Sequence, residues 1–191
     1  MKQLCAIVLA AGLSSRMGEN KLLMDYKGRP MSEYILQNLK HNSMWLNEVL
    51  VVGRLQQTKE LAERYGFNYV HNSQPERGMG HSLALGVQAA AQCDGFLLAL
   101  SDMPDLKTGT IHTLCQSFNQ DPLRITVPVY GGRRGNPVLF PASYREQLSA
   151  LDGDKGGRDL IRREQQNLAR VQIYDAGILR DIDTKSDFYA K

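Results

Sequence analysis

The sequence predicts an α/β fold, a single three-layer αβα domain built on a mainly parallel, doubly wound sheet of the Rossmann-like kind. Residues 5–9 and 96–100 contain no charged side chain and are typical of strands buried on both faces of a parallel sheet. Between such apolar runs lie amphipathic stretches, and this alternation indicates βαβ units. Glycine-rich segments follow several of the expected strands, at the edge where α/β sheets bind their ligands.

The elements follow from apolar spacing and from turn residues. The sequence predicts strands at 4–10, 49–52, 68–71, 96–100, 125–130, 138–140 and 168–174, with a short extended segment at 22–26. It predicts helices at 30–42, 58–65, 82–92 and 108–119, and a helical stretch after 141 that breaks at 152–157. Pro30 suits a first helical turn, and Ile35 with Leu39 forms one helix face. Gly66 is a suitable C-cap, and Lys27-Gly28 indicates a turn.

Length and composition limit the class of protein to which the chain can belong. The 191 residues are enough for one domain, expected to span 1–191, with a substantial core. Hydrophobic residues make up 42% and charged residues 23%, and no apolar run approaches the ~20 residues of a membrane span. The beginning of the chain lacks the layout of a signal peptide, so we expect a cytoplasmic protein without a membrane partner.

Charge and cysteine usage exclude two further classes. A net charge of +3 with dispersed basic residues does not indicate a nucleic-acid partner. Cys5, Cys93 and Cys115 are far apart in sequence and form no C-x-x-C pair. We therefore expect reduced core cysteines and no zinc site.

The segment 9–21 is a glycine-punctuated basic loop directly after the first expected strand. Gly12, Gly18 and small neighbours allow backbone N–H groups to approach an anion, and Arg16 with Lys21 supplies positive charge. The spacing fits neither a Walker A loop nor the dinucleotide fingerprint G-x-G-x-x-G. An anion site is the functional interpretation, and an ordinary turn with solvated charges is the alternative.

Four later segments also place glycines, bases or carboxylates at the expected mouth of the sheet: 72–82, 101–105, 131–137 and 181–184. With the first loop they read, in order, L-A-A-G-x-S-x-R-M-G-x-x-K, G-M-G-x-S-L, D-M-P, G-N-P-V and D-I-D-T. This series resembles the MobA-like nucleotidyltransferases, in particular their molybdenum cofactor cytidylyltransferase branch. The resemblance implies a fold of the nucleotide-diphospho-sugar transferase type. It also implies transfer of a nucleoside monophosphate from an NTP to a phosphorylated acceptor, with Mg²⁺ and release of pyrophosphate.

Three side chains are expected to carry the chemistry. Arg16 and Lys21 neutralise the charge that develops on the leaving pyrophosphate. Asp102 is the first choice as a Mg²⁺ ligand, because Mg²⁺ usually takes one or two protein carboxylates together with phosphate oxygens and water. The resemblance implies that Asp183 completes the metal site. The alternatives are a turn or helix-cap carboxylate for Asp102 and an exposed acid for Asp183.

The nucleotide site implied by the resemblance draws on the first two loops and the D-M-P segment. Its members are Leu9, Ala10, Ala11, Gly12, Ser14, Arg16, Lys21, Gly78, Met79, Ser82 and Asp102. Ala11 is the informative position, since L-A-A-G resembles the cytidylyl branch whereas guanylyl relatives carry L-A-G-G. A plain loop that caps the 82–92 helix is the alternative for Gly78, Met79 and Ser82.

Basic and amide residues on later glycine-rich turns form the expected acceptor site: Arg133, Asn136, Lys155 and Arg158. Solvated surface charge is the alternative for each. The expected substrates are CTP, or another NTP, and a molybdopterin-type cofactor, with a molybdenum hydroxylase apo-enzyme as a candidate partner. Two alternatives stay open, a guanylyl or other transferase acting on a sugar or polyol phosphate, and a non-catalytic chaperone that binds nucleotide and cofactor for a molybdenum enzyme.

Overall fold

A computed structural model describes residues 2–12, 21–184 and 186–187. The strands are β1 (Leu4–Ala10), β2 (Asp25–Tyr26), β3 (Arg29–Pro30), β4 (Leu46–Gly53), β5 (Asn68–His71), β6 (Gly95–Leu100), β7 (Ile125–Tyr130), β8 (Arg133–Arg134), β9 (Val138–Pro141) and β10 (Leu168–Gln172). The α-helices are α1 (Met31–His41), α2 (Gln56–Arg64), α3 (Gly78–Ala89), α4 (Thr108–Gln120), α5 (Arg145–Ser149) and α6 (Arg158–Arg163). Within these ranges no helix has the length and apolar character needed to cross a membrane.

The main sheet follows the order β10-β7-β9-β6-β1-β4-β5, with β8 paired to β7. Its neighbours are parallel except at β9, which runs antiparallel to β6 and β7, and at β8. From the central β1 the chain moves outward to β4 and β5, and then crosses to β6 on the other side of β1. The carboxyl ends of β1 and β6 therefore form the topological switch point, where open α/β sheets bind ligands.

Helices cover both faces of this sheet. Ala6 and Val8 of β1 pack in a core with α1, α2 and α4, whereas Cys5 and Ile7 pack in a second core with α3, α5 and α6. Because β1 is buried on both sides, its side chains can be apolar at every position. The predicted three-layer, mainly parallel α/β fold is confirmed.

The second glycine-rich segment departs from the expectation. The sequence places a helix at 82–92, whereas α3 begins at Gly78 and ends at Ala89. Gly78, with φ +89°, lets the chain turn from a 3-10 turn at Pro75–Arg77 directly into α3. At the other end the Ala91 N–H donates to a carboxylate oxygen of Glu48 at 2.9 Å, so the helix does not continue.

Two smaller differences concern short segments. The segment expected to be extended from residue 22 starts instead as a 3-10 turn, Lys21–Leu23, before β2 pairs with β3. The turn between β2 and β3 is confirmed at Lys27 and Gly28, whose φ values of 53° and 93° suit a tight hairpin. The last strand, β10, ends at Gln172 rather than at residue 174.

All three cysteines are free thiols, as predicted, but two of them meet. Cys93 is half-buried, and its thiol interacts with that of buried Cys5. Nη2 of Arg145 lies 3.7 Å from the Cys93 Sγ. The Cys5 thiol and the Arg145 charge lower the pKa of Cys93 to about 7. Across the described part of the chain, no group of three or more Cys, His, Asp or Glu side chains could hold a metal ion.

Candidate functional site

A cavity of about 430 Å³ opens at the carboxyl ends of β1 and β6, within the size range of small-molecule sites. The described residues that line it are Leu9, Ala11, Gly12, Lys21, Leu22, Pro75, Glu76, Gly78, Met79, Ser82, Leu100, Ser101, Asp102, Asp154 and Asp183. They come from residues 9–12 and 21–22 of the first segment and from four further segments that are distant in sequence. The cavity thus lies at the topological switch point of the sheet, and we call it the switch-point cavity.

The floor of this cavity is locked by a contact between two strand ends. The Ser101 hydroxyl donates to the Leu9 carbonyl at 2.6 Å, and the Ser101 N–H donates to the same oxygen at 3.3 Å. Ala11 is buried beside them with 3% of its surface exposed, whereas a Cβ at Gly12 would meet no atom of the described residues within 4 Å. The floor is therefore closely packed at Ala11.

Lys21 joins the two carboxylates expected to bind metal. Its Nζ donates to Oδ2 of Asp102 at 2.8 Å, to Oδ1 of Asp183 at 2.7 Å and to the Ile182 carbonyl at 2.9 Å. The Lys21 side chain is 11% exposed and that of Asp102 is 18% exposed, so this ion pair is largely shielded from water. One ammonium group is thus held between two carboxylates at the edge of the sheet.

The charges of Lys21, Asp102 and Asp183 affect one another's pKa values. Burial alone would lower the pKa of Lys21, but Asp102 and Asp183 outweigh it and raise the pKa, which keeps the ammonium charged. Burial raises the pKa of the Asp102 carboxyl, and although Lys21 opposes this effect, the pKa stays above its ordinary value. Asp102 and Asp183 therefore favour a cation between their two carboxylates.

The donor set fits a hard divalent cation. Oδ1 of Asp102 is buried and has no hydrogen-bond partner in the described part of the chain. Such an atom is costly unless a ligand or ion satisfies it. Asp102 and Asp183 already share one cation, the Lys21 ammonium. Mg²⁺ usually takes one or two carboxylates from a protein, with water and phosphate oxygens as its other ligands, and this pair falls within that range.

Asp183 reaches this site because its neighbour is anchored. Ile182 is fully buried in a small core with Tyr26 and Met31. Its backbone N–H donates to the Asp102 carbonyl at 3.0 Å. The apolar residue inside D-I-D-T therefore places Asp183 beside the segment that follows β6.

The start of α3 forms the opposite wall, together with the loop 152–154. The Gly80 N–H donates to the Gly153 carbonyl at 2.7 Å, and a Cβ at Gly78 would lie 2.6 Å from the Gly153 carbonyl carbon. Arg77 pairs with Asp152, at 3.0 Å between Nη2 and Oδ2. The glycines of α3 thus allow the helix to dock closely on this loop.

The structure brings most of the predicted nucleotide site together. The predicted residues that line the switch-point cavity are Leu9, Ala11, Gly12, Lys21, Gly78, Met79, Ser82 and Asp102, and Asp183 joins them. Ala10 does not line it, because its side chain is buried in the core beside α1. Ser14 and Arg16 lie outside the described residues.

Two acidic lining residues, Glu76 and Asp154, were not predicted. Glu76 precedes the second glycine motif, and Asp154 lies in D-G-D-K-G-G, a stretch that indicates only a helix break. Asp154 reaches the cavity through the docking of its loop on α3, which is a tertiary contact. No local sequence signal reveals it.

The predicted acceptor residues do not gather in the switch-point cavity. Arg133 is exposed on β8, Lys155 pairs with Asp159 at 3.3 Å, and the Asn136 N–H donates to the Ile178 carbonyl at 2.9 Å. Arg158 lines a second cavity beside Arg134. Their assignment to an acceptor stays a prediction.

Curated relatives match the chain over nearly its whole length. Purine catabolism protein PucB of Bacillus subtilis (strain 168) is 29% identical over 199 residues, which cover 97% of this chain and 94% of that protein. Nicotine blue oxidoreductase of Paenarthrobacter nicotinovorans is 29% identical over 194 residues, which cover 96% of this chain and 93% of that protein. Molybdenum cofactor cytidylyltransferase of Escherichia coli (strain K12) is 27% identical over 192 residues, covering 98% and 95%.

Solved structures share the fold, and a family model matches most of the chain. Rv0371c from Mycobacterium tuberculosis H37Rv has a TM-score of 0.82 at 23% identity, covering 98% of this chain and 95% of that one. Mth528, a nucleotidyl transferase from Methanothermobacter thermautotroptrophicus, has a TM-score of 0.77 at 23% identity, covering 97% and 94%. Residues 6–169 match the MobA-like NTP transferase domain, and the chain therefore belongs to this family of nucleotidyltransferases.

Proposed function

We propose that this nucleotidyltransferase transfers CMP from CTP to a molybdopterin-type molybdenum cofactor and releases pyrophosphate, with Mg²⁺ as its cofactor. The observation that carries the proposal is the ion pair of Lys21 with Asp102 and Asp183 in the switch-point cavity. Nucleotidyl transfer needs both a cation on carboxylates and a positive side chain for the triphosphate. The cavity contains the two carboxylates and the lysine, within hydrogen-bond distance of each other.

The residues divide this work between them. Lys21 neutralises the leaving pyrophosphate, and Gly12, which has no side chain, lets backbone N–H groups approach the phosphates. Asp102 and Asp183 would hold Mg²⁺, which supplies further charge neutralisation at the reacting phosphate. The acceptor's terminal phosphate is already an anion near neutral pH, so no general base is required.

The preference for CTP rests on the floor and wall of the cavity. Ala11 is buried and lines the floor, at the position where the resemblance implies glycine in guanylyl relatives. Ser82 lines the wall, and its hydroxyl accepts from Nδ2 of buried Asn72 at 2.9 Å. A fixed hydroxyl of this kind suits recognition of a base edge. Similarity to the cytidylyltransferase of E. coli over 98% of the chain supports the same assignment. A molybdenum hydroxylase apo-enzyme is the proposed recipient of the product.

Pyrophosphate release tests the proposal. Purified protein with Mg²⁺ and molybdenum cofactor should release pyrophosphate from CTP well above GTP, ATP or UTP. Asp102→Asn should lose about 2 to 3 kcal/mol of transition-state stabilisation. Asp121→Asn is the matched control, because that carboxylate is exposed at the end of α4. A preference for GTP would overturn the cytidylyl assignment, and tight CTP binding without turnover would indicate a binding protein instead.

A further inference from the structure

A second cavity, of about 350 Å³, lies against the outer strands β7 and β10 and the helix α6. Its floor includes Val127 and Val129 of β7 and Leu168 of β10, so its deepest surface is apolar. In the strand order, β9 separates β7 from β6. Among the described residues, none lines both this cavity and the switch-point cavity. The two are separate sites.

Four arginines surround this cavity: Arg134 from β8, Arg158 and Arg162 from α6, and Arg170 from β10. In the described part of the chain, no Asp or Glu lines it. Outside the cavity, Oδ1 of Asp159 is 4.0 Å from Nη1 of Arg162, while Oδ2 of the same carboxylate is 3.3 Å from Lys155. The four guanidinium charges therefore exceed the negative charge beside them.

The arginines act on one another. Arg134 is only partly shielded from water, and this partial burial together with the positive charges of Arg158 and Arg162 lowers its pKa. Nη2 of Arg170 donates to the neutral amide oxygen of Gln165 at 2.9 Å rather than to a carboxylate. Like charges that converge on one cavity repel each other, and a bound anion removes this repulsion. Guanidinium groups also match phosphate oxygens in bidentate geometry.

We propose that this cavity is a binding site for an organic phosphate with at least two negative charges, separate from the nucleotide site. The volume lies within the range of small-molecule sites, and the apolar floor suits the organic part of such a ligand. The concave shape, lined by four exposed arginines, favours a compact anion over nucleic acid, which binds along extended basic surfaces. The site would exist whichever nucleotide the switch-point cavity binds.

Inorganic phosphate is the probe, titrated at constant ionic strength and followed by the NMR signals of the arginine Nε–H groups. We expect saturable shifts at Arg134 and Arg158. The double variant Arg162→Gln/Arg170→Gln should weaken this binding about tenfold or more, because two charge-assisted contacts are lost. The double variant Lys59→Gln/Arg64→Gln, which removes an equal charge from α2 at the other side of the sheet, should leave it unchanged. Non-saturable shifts, or equal effects of both variants, would overturn the proposal.

A second measurement identifies the source of the anion. If the ligand is the acceptor of the transferase reaction, the double variant raises KM for the acceptor and leaves KM for CTP unchanged. If it is a separate effector, phosphate binding is lost while both KM values stay constant. Either result supports the site. Because the phosphate titration requires no turnover, failure of the proposed CMP transfer would not affect it.

Discussion

At the scale of single residues, the charge balance of the switch-point cavity depends on Lys21. Its ammonium group is the shared partner of Asp102 and Asp183, and it also satisfies the Ile182 carbonyl. The Lys21 side chain therefore has two roles. It neutralises a buried carboxylate in the free protein, and in the proposed reaction it contacts the triphosphate.

Lys21→Ala should destabilise the protein by about 3 kcal/mol, because it leaves the Asp102 carboxylate buried without its partner. Urea unfolding at neutral pH measures this loss. Lys59→Ala is the matched control, since Lys59 is exposed and its Nζ lies 3.8 Å from Glu63 one helical turn away. That change should cost no more than about 0.5 kcal/mol. Equal losses in the two variants would show that Lys21 carries no buried ion pair.

The sequence predicts which side chains meet at this site, but not how they pair. Lys21 and Asp102 both follow strands, so a common edge of the sheet is expected for them. The contact itself joins residues 81 and 162 positions apart in sequence, and it depends on the pairing of β1 with β6 and on the burial of Ile182. Asp154 reaches the cavity by a loop contact that has no periodic signal. Local patterns cannot reveal such contacts.

At the scale of elements, the start of α3 and the loop 152–154 form one structural unit. Gly78 has φ +89°, and a Cβ there would contact both Gly153 and Asp154. The sequence indicates a glycine-rich loop here but places the helix four residues too late. Propensity scales penalise glycine in helices, whereas this helix needs Gly78 and Gly80 for its docking.

Gly78→Ala should weaken both folding and nucleotide binding. The backbone conformation of Gly78, φ +89° and ψ −176°, costs about 1 to 3 kcal/mol for a residue with a Cβ, and the contact with Gly153 adds to this cost. Displacement of the loop should weaken CTP binding about tenfold or more, as isothermal titration can measure. Gly109→Ala in α4, where a Cβ meets no atom within 4 Å, should leave binding unchanged and stability equal or higher. Unaltered CTP affinity in Gly78→Ala would contradict this role.

A second element-scale contact ties the β2–β3 hairpin to the segment after β6. Asp105 accepts a hydrogen bond from the Tyr26 hydroxyl at 2.9 Å and pairs with Lys27 at 3.0 Å and with Arg180 at 2.9 Å. Burial would raise the pKa of Asp105, but these partners outweigh it and the pKa is lowered. Its carboxylate therefore stabilises the folded state only while it is ionised.

Stability should depend on pH through this carboxylate. Because the folded pKa lies below the unfolded value of about 3.9, the contribution is complete above that value and is lost as pH falls through the folded pKa. Asp105→Asn should therefore be less stable than the wild type by about 1 to 2 kcal/mol at pH 6. The difference in stability between the two proteins should be smaller at pH 3, where the Asp105 carboxyl of the wild type approaches protonation. Urea midpoints of both proteins at the two pH values measure it, and a constant gap would exclude Asp105 as the titrating group.

At the scale of the whole molecule, the doubly wound sheet brings five segments that are distant in sequence around one cavity. Apolar runs and amphipathic spacing predict the fold class, because burial on both faces leaves a clear pattern in each strand. The insertion of β9 between β6 and β7, antiparallel to both, follows from long-range pairing and leaves no such pattern. The second cavity also leaves no sequence pattern, because its four arginines come from β8, α6 and β10.

A ligand that bridges these segments binds only the folded chain, so it should stabilise the whole molecule. CTP with Mg²⁺ at 100 times its Kd should add about 2.7 kcal/mol to the free energy of unfolding, and GTP at the same concentration clearly less. Thermal unfolding followed by circular dichroism, with and without each nucleotide, measures the difference. Asp102→Asn should lose the Mg²⁺-dependent part of the gain, whereas Asp121→Asn should keep it, since the Asp121 carboxylate lies at the end of α4. Equal gains from CTP and GTP would contradict the role of Ala11 in base choice, and a full gain in Asp102→Asn would contradict the metal site.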